Sequence, residues 1–419
     1  MLKCGLLGQK LGHSYSPAIH GMLADYDYQL FEREPEQLED FLKNGPWDGI
    51  NVTIPYKKAV LPYCAELSDT ARRIGSVNTI VRRPDGSLYG DNTDAYGFES
   101  LVKKSGIDVR GKKALVLGSG GASVTVVAVL KMLGAESVTV ISRGGEDNYD
   151  NLAKHADARI IANTTPVGMY PNNGQAAVDL AQFPQCKGVL DVVYNPARTA
   201  LLLQAEKLGI PCAGGLYMLV AQAKRSSELF IGRSIPDSEI GRIEKLLSGQ
   251  MKNIVLVGMP SSGKSTLAAA LGERLGRPVY EADALIEQEA GMDIPAIFAQ
   301  YGEGHFRALE TEVLSRLGKL SGAVISTGGG CVTREENYDL LHQNGTIVWL
   351  QRGTEKLDKT GRPLSLKNDL NEMYQKREPM YRRFADAAVD NNGSVKAALA
   401  QILEAVSYTH LTLPTKISV

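Results

Sequence analysis

Twice in this chain a strand-length apolar run ends on a glycine-rich turn that opens straight into an apolar helix. The segments are KKALVLGSGGASVTVVAVLKML from Lys112 and KNIVLVGMPSSGKSTLAAALGERL from Lys252. A strand that turns through glycine into a helix packs that helix back on its own sheet, and the next strand then lies parallel by a right-handed crossover. The same rhythm runs through the rest of the sequence as short apolar runs alternating with amphipathic stretches. LKCGLLG, YQLFE, GINVTI and VNTIVRR read as strands in the first hundred residues, with SPAIHGMLADY, PEQLEDFLKN and KKAVLPYCAEL as helices between them. SVTVIS, ARIIANTT and GVLDVVY continue the series begun at Lys112; PVY, AVISTGGG and GTIVWLQ continue the one begun at Lys252. The pattern predicts an α/β protein built on parallel sheets.

At 419 residues the chain has room for two or three domains of about 150 residues each. A helical segment ending at Ser248-Gly249 is followed at once by Met251 and a buried-type strand, which puts a short, untethered boundary near residue 250. The 46 basic and 47 acidic residues balance, so bulk charge gives no support for nucleic-acid binding or a polybasic membrane role. The five cysteines are scattered, with no CxxC pair, as expected of reduced thiols and not of a disulfide framework or zinc site. No run approaches the ~18 apolar residues of a membrane span, and the start of the chain lacks a leader pattern, so the expected location is cytoplasmic. After a final helix closing at Val406, SYTHLTLPTKISV (407–419) has no helical period and reads as translated adapter sequence foreign to the fold.

GMPSSGKS at Gly258–Ser265 satisfies GxxxxGK[ST] between a strand and a helix. Gly258, Ser261 and Gly263 let backbone N–H groups wrap nucleotide phosphates, with Thr266 in the first helical turn beyond. Lys264 reaches the outer phosphates, and the Ser265 hydroxyl ligates Mg²⁺, so ATP and Mg²⁺ are the expected ligands. Glu281 and Asp283 follow at a strand end. One can hold metal through water and the other can take a proton from an acceptor hydroxyl. Arg307 stands near a helix start, Gly328, Gly329 and Gly330 form a second strand exit, Arg362 lies in a polar loop, and Arg377 is on a helix.

This ordered set resembles shikimate kinase across residues 252–406. The resemblance implies that Asp283 binds and activates the acceptor hydroxyl. It also implies that Arg307 and Arg377 clamp the acceptor carboxylate, that Gly328, Gly329 and Gly330 line the site, and that Arg362 acts on the phosphates from a lid. Glu281 departs from the family, which usually has Asp there. The longer arm keeps the charge but moves its oxygens.

In the first half, GSGGAS supplies Gly118, Ser119, Gly120, Gly121 and Ala122 at a strand-to-helix switch, a dinucleotide fingerprint. The end of the next strand carries Ser142-Arg143 in place of the acidic residue an NAD site needs. A cation there suits a 2′-phosphate, so NADP(H) is the expected cofactor. Ahead of the loop lies a polar constellation: Ser14 and Ser16, Asn51, Thr53 and Lys57, Asn78, Asn92 and Asp94. Polar residues at the ends of apolar strands form ligand sites, and a Lys–Asp pair can relay a proton to an alcohol oxygen.

The motifs HSxSP, NVTxPxK, VNT, DNTDxxG, GxGGAS, NxTPxGM and GxxMLxxQ resemble shikimate dehydrogenase over residues 1–248. That resemblance implies Lys57 and Asp94 as the catalytic pair and Ser14 and Ser16 on the substrate carboxylate. It puts Thr53, Asn78 and Gln222 on the hydroxyls, Tyr194 and Gly215 near nicotinamide and substrate, and Met218 in the pocket wall, the alternative for Met218 being an ordinary core methionine. His13 and His20 are read as packing and helix-capping residues.

The expected architecture is therefore an α/β substrate domain (1–105, with return helices at 215–248), a Rossmann-like domain (106–214) and a P-loop kinase domain (252–406). The expected function is NADPH-dependent reduction of 3-dehydroshikimate followed by MgATP-dependent phosphorylation of shikimate. The alternative is a quinate-type dehydrogenase joined to a kinase for a related polyol acid. The partners are small molecules, with no nucleic acid or membrane, and a homodimer would form through the dehydrogenase half.

Overall fold

The computed structural model describes residues 1–12, 14–357 and 370–406; His13, Arg362 and the 407–419 tail lie outside the described residues. Its described strands form three sheets in sequence order. The first contains β1 (Lys3–Gly8), β2 (Asp27–Glu32), β3 (Gly49–Val52), β4 (Glu66–Leu67), β5 (Thr79–Arg82) and β6 (Leu88–Asp91) in the order β2-β1-β3-β5-β6-β4. It is mixed: β1 is parallel to β2 and β3, whereas β5 is antiparallel to β3 and β6. Helices α1 (Ser16–Leu23), α2 (Leu38–Asn44) and α3 (Asp69–Ile74) connect these strands.

After α4 (Thr93–Ser105), the second sheet is wholly parallel, in the order β11-β10-β9-β7-β8. Its strands are β7 (Lys113–Leu117), β8 (Ser137–Ile141), β9 (Ile160–Asn163), β10 (Gly188–Asp191) and β11 (Cys212–Ala213). Successive β7 residues face opposite layers. Ala114 and Val116 pack against α4 and α5 (Gly121–Met132), while Leu115 and Leu117 pack on the side of α6 (Ala200–Lys207). A strand buried on both faces loses its polar alternation, so it appears in sequence as an unbroken apolar run. Two long helices, α7 (Leu216–Ile231) and α8 (Ser238–Met251), then return to pack with α1 and α4.

The third sheet repeats the logic in the order β13-β14-β12-β15-β16. It contains β12 (Asn253–Val257), β13 (Val279–Glu281), β14 (Val324–Ser326), β15 (Gly345–Gln351) and β16 (Ala387–Asp390). Ile254 and Leu256 face α9 (Lys264–Leu275) and α14 (Val395–Ala405). Val255 and Val257 face α10 (Ala282–Ala290), α11 (Ile294–Leu317) and α13 (Leu370–Phe384). The short α12 (Glu336–His342) precedes β15.

Two sequence expectations change. KKAVLPYCAEL is not a helix: Pro62 limits it to one 3-10 turn at Leu61–Tyr63, and Glu66–Leu67 joins the sheet beside β6. The helix expected to stop at Ser248-Gly249 runs to Met251, because Leu247 and Met251 belong to one buried stripe. Gly249 is carried inside it.

His20 packs, as expected, but caps nothing. Its ring is fully buried and stacks on Tyr28 at 4.0 Å, and Nδ1 meets the Tyr26 hydroxyl at 2.5 Å. Burial lowers its pKa from 6.5 to about 3. The neutral form is the one that fits, so this stability is complete above pH 6.5 and is withdrawn as pH falls toward about 3. His20→Gln, which cannot charge, should flatten the acid side of the stability profile. Thermal melting from pH 7 to 4 checks this, and an equally steep loss in the variant would refute it.

Candidate active sites

The first site lies where β3, β5 and β6 deliver their ends to the N-terminus of α4. Lys57 sits in the turn beyond β3, its backbone carbonyl accepting the Val77 N–H at 2.8 Å. Asp94 is in the first turn of α4, where the helix dipole favours a carboxylate. Lys57 Nζ stands 2.5 Å from Asp94 Oδ2, with the side chains 19% and 14% exposed. The pair is thus sheltered yet reachable. Asn78 is nearly buried, and its Oδ1 accepts the Thr93 N–H at 2.7 Å, fixing the turn that carries Asp94.

Around this pair, Thr53 is half-buried beyond β3, and Ser14 Oγ accepts the Ser16 N–H at 3.2 Å where α1 begins. Gln222 lies on α7 facing α4. A Cβ on Gly97 would stand 3.0 Å from Gln222 Cβ and 2.7 Å from the Met218 carbonyl, so glycine lets the two helices approach. Gln222 Nε2 donates to the Leu219 carbonyl. Two expectations shift. Asn51 is spent inside a buried network with Tyr28, Thr79 and Ser226, and Met218 belongs to the core between α4, α5 and β7.

The second sheet supplies the opposite wall. Gly118 takes φ +97° against Thr165, while Cβ atoms on Gly120 or Gly121 would meet nothing within 4 Å. The N-terminus of α5 has no side-chain cap. No side chain occupies its first N–H groups and the glycines leave room beside them, the arrangement that receives a phosphate. Ser119 is exposed and Ala122 half-buried beside them. Ser142 follows the last residue of β8 with Arg143 exposed next to it, suited to a 2′-phosphate. Gly215 caps α7, where a Cβ would lie 2.1 Å from the Val192 carbonyl oxygen. Tyr194 meets Tyr15 of the first wall edge-on, with ring centroids 6.0 Å apart.

The second site is built on the loop from β12 to α9. Gly258 and Gly263 take φ of +152° and +91°, and Ser261 also lies in the left-handed region at 61°. Lys264 is buried and donates to the carbonyls of Gly258 and Met259 at 3.0 and 2.9 Å, folding the loop around its own ammonium. Asn391, just past β16, donates to the Ser262 carbonyl at 2.7 Å. Ser265 and Thr266 are exposed at the head of α9. The Ser265 hydroxyl donates to Glu281 Oε2 at 2.9 Å. Despite its extra methylene, then, the Glu281 carboxylate lies within hydrogen-bond reach of the Ser265 hydroxyl. Among the described residues no group of three or more His, Cys, Asp or Glu could hold a metal ion. A hydroxyl, one carboxylate and nucleotide oxygens are the set Mg²⁺ takes.

The three glycines after β14 form a tight turn against the side chains expected to hold the acceptor. Cβ atoms would lie 2.7 Å from Asp283 Oδ1 at Gly328, 2.6 Å from Pro260 Cδ at Gly329 and 2.1 Å from Arg307 Nη2 at Gly330. Arg377 Nη1 donates to the Gly329 carbonyl at 3.2 Å, and the Tyr381 hydroxyl does so at 2.5 Å. Asp283, Arg307 and Arg377 thus converge on one glycine turn. Arg307 lies five residues past Gly302, whose non-helical backbone (φ 81°) breaks α11 into two helices, so it stands near the start of the second, as expected. Sequence reasoning missed Glu310, which is fully buried and holds Arg307 Nη1 at 2.6 Å. Burial, with Asp283 nearby, pushes the Glu310 pKa up against the pull of Arg307. Its spacing, i+3 from Arg307 on a helix, was the available signal.

Comparison with known proteins follows the same division. Residues 6–80 match the family model of the shikimate dehydrogenase substrate binding domain, and 260–407 match that of shikimate kinase. A shikimate dehydrogenase (NADP(+)) from Clostridium perfringens is 36% identical over 255 residues, covering 56% of this chain and 94% of that protein. The crystal structure of a chorismate mutase/shikimate 5-dehydrogenase fusion protein from Clostridium acetobutylicum superposes with a TM-score of 0.56 at 36% identity, over 59% of this chain and 97% of that one. Shikimate 5-dehydrogenase from Thermus thermophilus, solved in complex with NADP(H) and shikimate, gives 0.54 at 32% identity, over 59% and 99%.

Proposed function

Because the chain belongs to the shikimate dehydrogenase family and carries a shikimate kinase region behind it, we propose that it performs consecutive steps on one carbon skeleton. It is a bifunctional enzyme that reduces 3-dehydroshikimate with NADPH and phosphorylates the resulting shikimate with MgATP. The observation that carries the reading is the sheltered Lys57–Asp94 contact of 2.5 Å, on a chain whose second sheet carries the uncapped, glycine-lined N-terminus of α5.

In the first site NADPH, when bound, supplies the hydride. Lys57 donates a proton to the ketone oxygen as it becomes an alcohol, and Asp94 orients that ammonium and binds a neighbouring hydroxyl. Ser14 and Ser16 hold the carboxylate, Thr53, Asn78 and Gln222 the hydroxyls, and Tyr194 and Gly215 bound the nicotinamide. In the second site ATP supplies the phosphoryl group. Asp283 takes the acceptor hydroxyl's proton, Arg307 and Arg377 hold the carboxylate, and Glu310 keeps Arg307 aimed. Lys264 neutralises the outer phosphates, with Ser265 and Glu281 holding Mg²⁺. Arg362, outside the described residues, keeps the lid role its motif implies.

The division into 1–105 with 215–248, 106–214 and 252–406 belongs to this proposal, as do a cytoplasmic setting and a homodimer through the dehydrogenase half. Among the described residues no helix is long and apolar enough to cross a membrane. Mass spectrometry after incubation with 3-dehydroshikimate, NADPH and MgATP tests both halves together. Shikimate 3-phosphate is the expected product, and its absence alongside turnover of quinate would replace this reading.

Cofactor choice has its own test. Arg143→Ala should lower kcat/KM with NADPH by roughly 10- to 100-fold, the worth of about 1.5–3 kcal/mol from hydrogen bonds to a charged group. NADH turnover should barely change. An equal loss with both cofactors would remove Arg143 from the 2′-phosphate site.

A further inference from the structure

We infer that the kinase unit braces the dehydrogenase cleft: it is bonded to both walls, and so holds the closed angle between them without touching the reacting atoms. The inference rests on the dehydrogenase reading only for its kinetic consequence.

The first wall includes α8, whose Ile240, Ile243, Leu247 and Met251 pack with Ile19, Val220, Ala221 and Ala223 of α1 and α7. That helix ends inside the kinase unit. Arg277 donates to the carbonyls of Gly249, Gln250 and Lys252 at 2.5, 3.2 and 2.9 Å, and the Gly322 N–H reaches the Met251 carbonyl at 2.8 Å. These bonds satisfy helix-end carbonyls that would otherwise lack partners, and they leave no slack between α8 and β12.

The second wall reaches the same place from the loop after β10. The Arg198 N–H donates to the Gln343 carbonyl at 2.8 Å, and Arg198 Nη1 to the His342 carbonyl at 3.0 Å. Asn173 Nδ2 meets Gln343 Oε1 at 3.0 Å. Lys207 pairs with Asp339 at 2.5 Å, a half-exposed contact of small weight. Asn344, fully buried, joins all three units. Its Oδ1 accepts the Ala197 N–H at 3.2 Å, and its Nδ2 lies 3.3 Å from the Met251 carbonyl and 2.8 Å from that of Leu320.

The Tyr15–Tyr194 contact at 6.0 Å shows that the walls already touch. Swinging them apart would pull Ala197 and Arg198 away from Asn344 and Gln343 or tear α8 from Arg277. Either leaves part-buried backbone groups without protein partners. Enzymes of two hinged domains ordinarily open and close around their ligands. Here a third unit spans the hinge, so the binding-competent angle is held in advance.

Amide hydrogen exchange of the full chain tests the geometry without reference to activity. The Ala197 and Arg198 amides should exchange slowly both in the unliganded protein and with NADPH and shikimate, a pair that cannot react together. Fast exchange in either state would overturn the brace. Kinetics test the consequence. Asn173→Ala combined with Arg198→Ala removes two side-chain bonds from one wall and should loosen it, read as faster Ala197 amide exchange, while leaving kinase turnover unchanged. NADPH binding, read from its fluorescence, should then weaken about threefold or more, as expected if the competent fraction falls to about a third. Undiminished NADPH affinity in a variant whose Ala197 amide has become fast would also overturn it. Should the chain lack dehydrogenase turnover altogether, the proposed function fails while the exchange result still decides the brace.

Discussion

Replacing Lys57 by Met should lower dehydrogenase turnover by two to four orders of magnitude, about the worth of a positioned general acid, and leave kinase turnover untouched. The ammonium is the proton donor closest to the sheltered Asp94 carboxylate, at 2.5 Å, and a thioether cannot replace it. Asp94→Asn should be similarly damaging, because the amide keeps the shape and loses the charge that orients Lys57. The effects should not add, since residues acting as one unit fail together. The double variant should thus be little worse than either single one. Steady-state reduction of 3-dehydroshikimate, with shikimate phosphorylation measured on the same preparation, separates this from misfolding. A loss below tenfold in Lys57→Met would remove the pair from the proton-transfer step.

The mirror experiment strikes the other site. Lys264→Ala should cut kinase kcat/KM by roughly 10²- to 10³-fold, the usual effect of deleting one preorganised charge from a transition-state site, with reductase turnover intact. Lys264 is buried and bound to the Gly258 and Met259 carbonyls, so the substitution removes both the cation and the brace that shapes the loop. Lys264→Arg tells the two apart. If charge alone matters, it recovers most of the activity; if the loop's curvature matters, a guanidinium too large for that cradle recovers little. Kinase activity within tenfold of the parent in Lys264→Ala would sink the phosphate-loop assignment.

The legibility of these sites depended on how their residues are spaced. The glycine turns at Gly118–Gly121 and Gly258–Gly263 were readable because one backbone geometry serves both chain reversal and phosphate contact. Lys57 and Asp94 were readable through their motifs, though 37 residues separate them. Glu310 was passed over as one more helical acid, since nothing local says that α11 buries that face against Asp283 and Arg377. The β5–β6 hairpin was missed as well, although the connecting Asp85-Gly86, with Gly86 at φ +83°, is a turn signal. The failed helix at KKAVLPYCAEL shows the opposite error, in which good helix formers outweighed a proline.

By itself the sequence determined the α/β class and the two strand–glycine turn–helix units, and it supplied the boundary near residue 250 and the chemistry-bearing side chains as proposals. Each of these is written in short-range pattern: apolar runs of strand length, glycines where φ must be positive, polar residues at strand ends. Tertiary structure alone decided that Glu310 steadies Arg307, that Glu281 meets Ser265, that Asn51 and Met218 belong to packing, and that Asn344 touches three units at once. Those facts depend on which faces of distant elements are pressed together. Burial energy is summed over whole layers, so no window of neighbouring residues contains it.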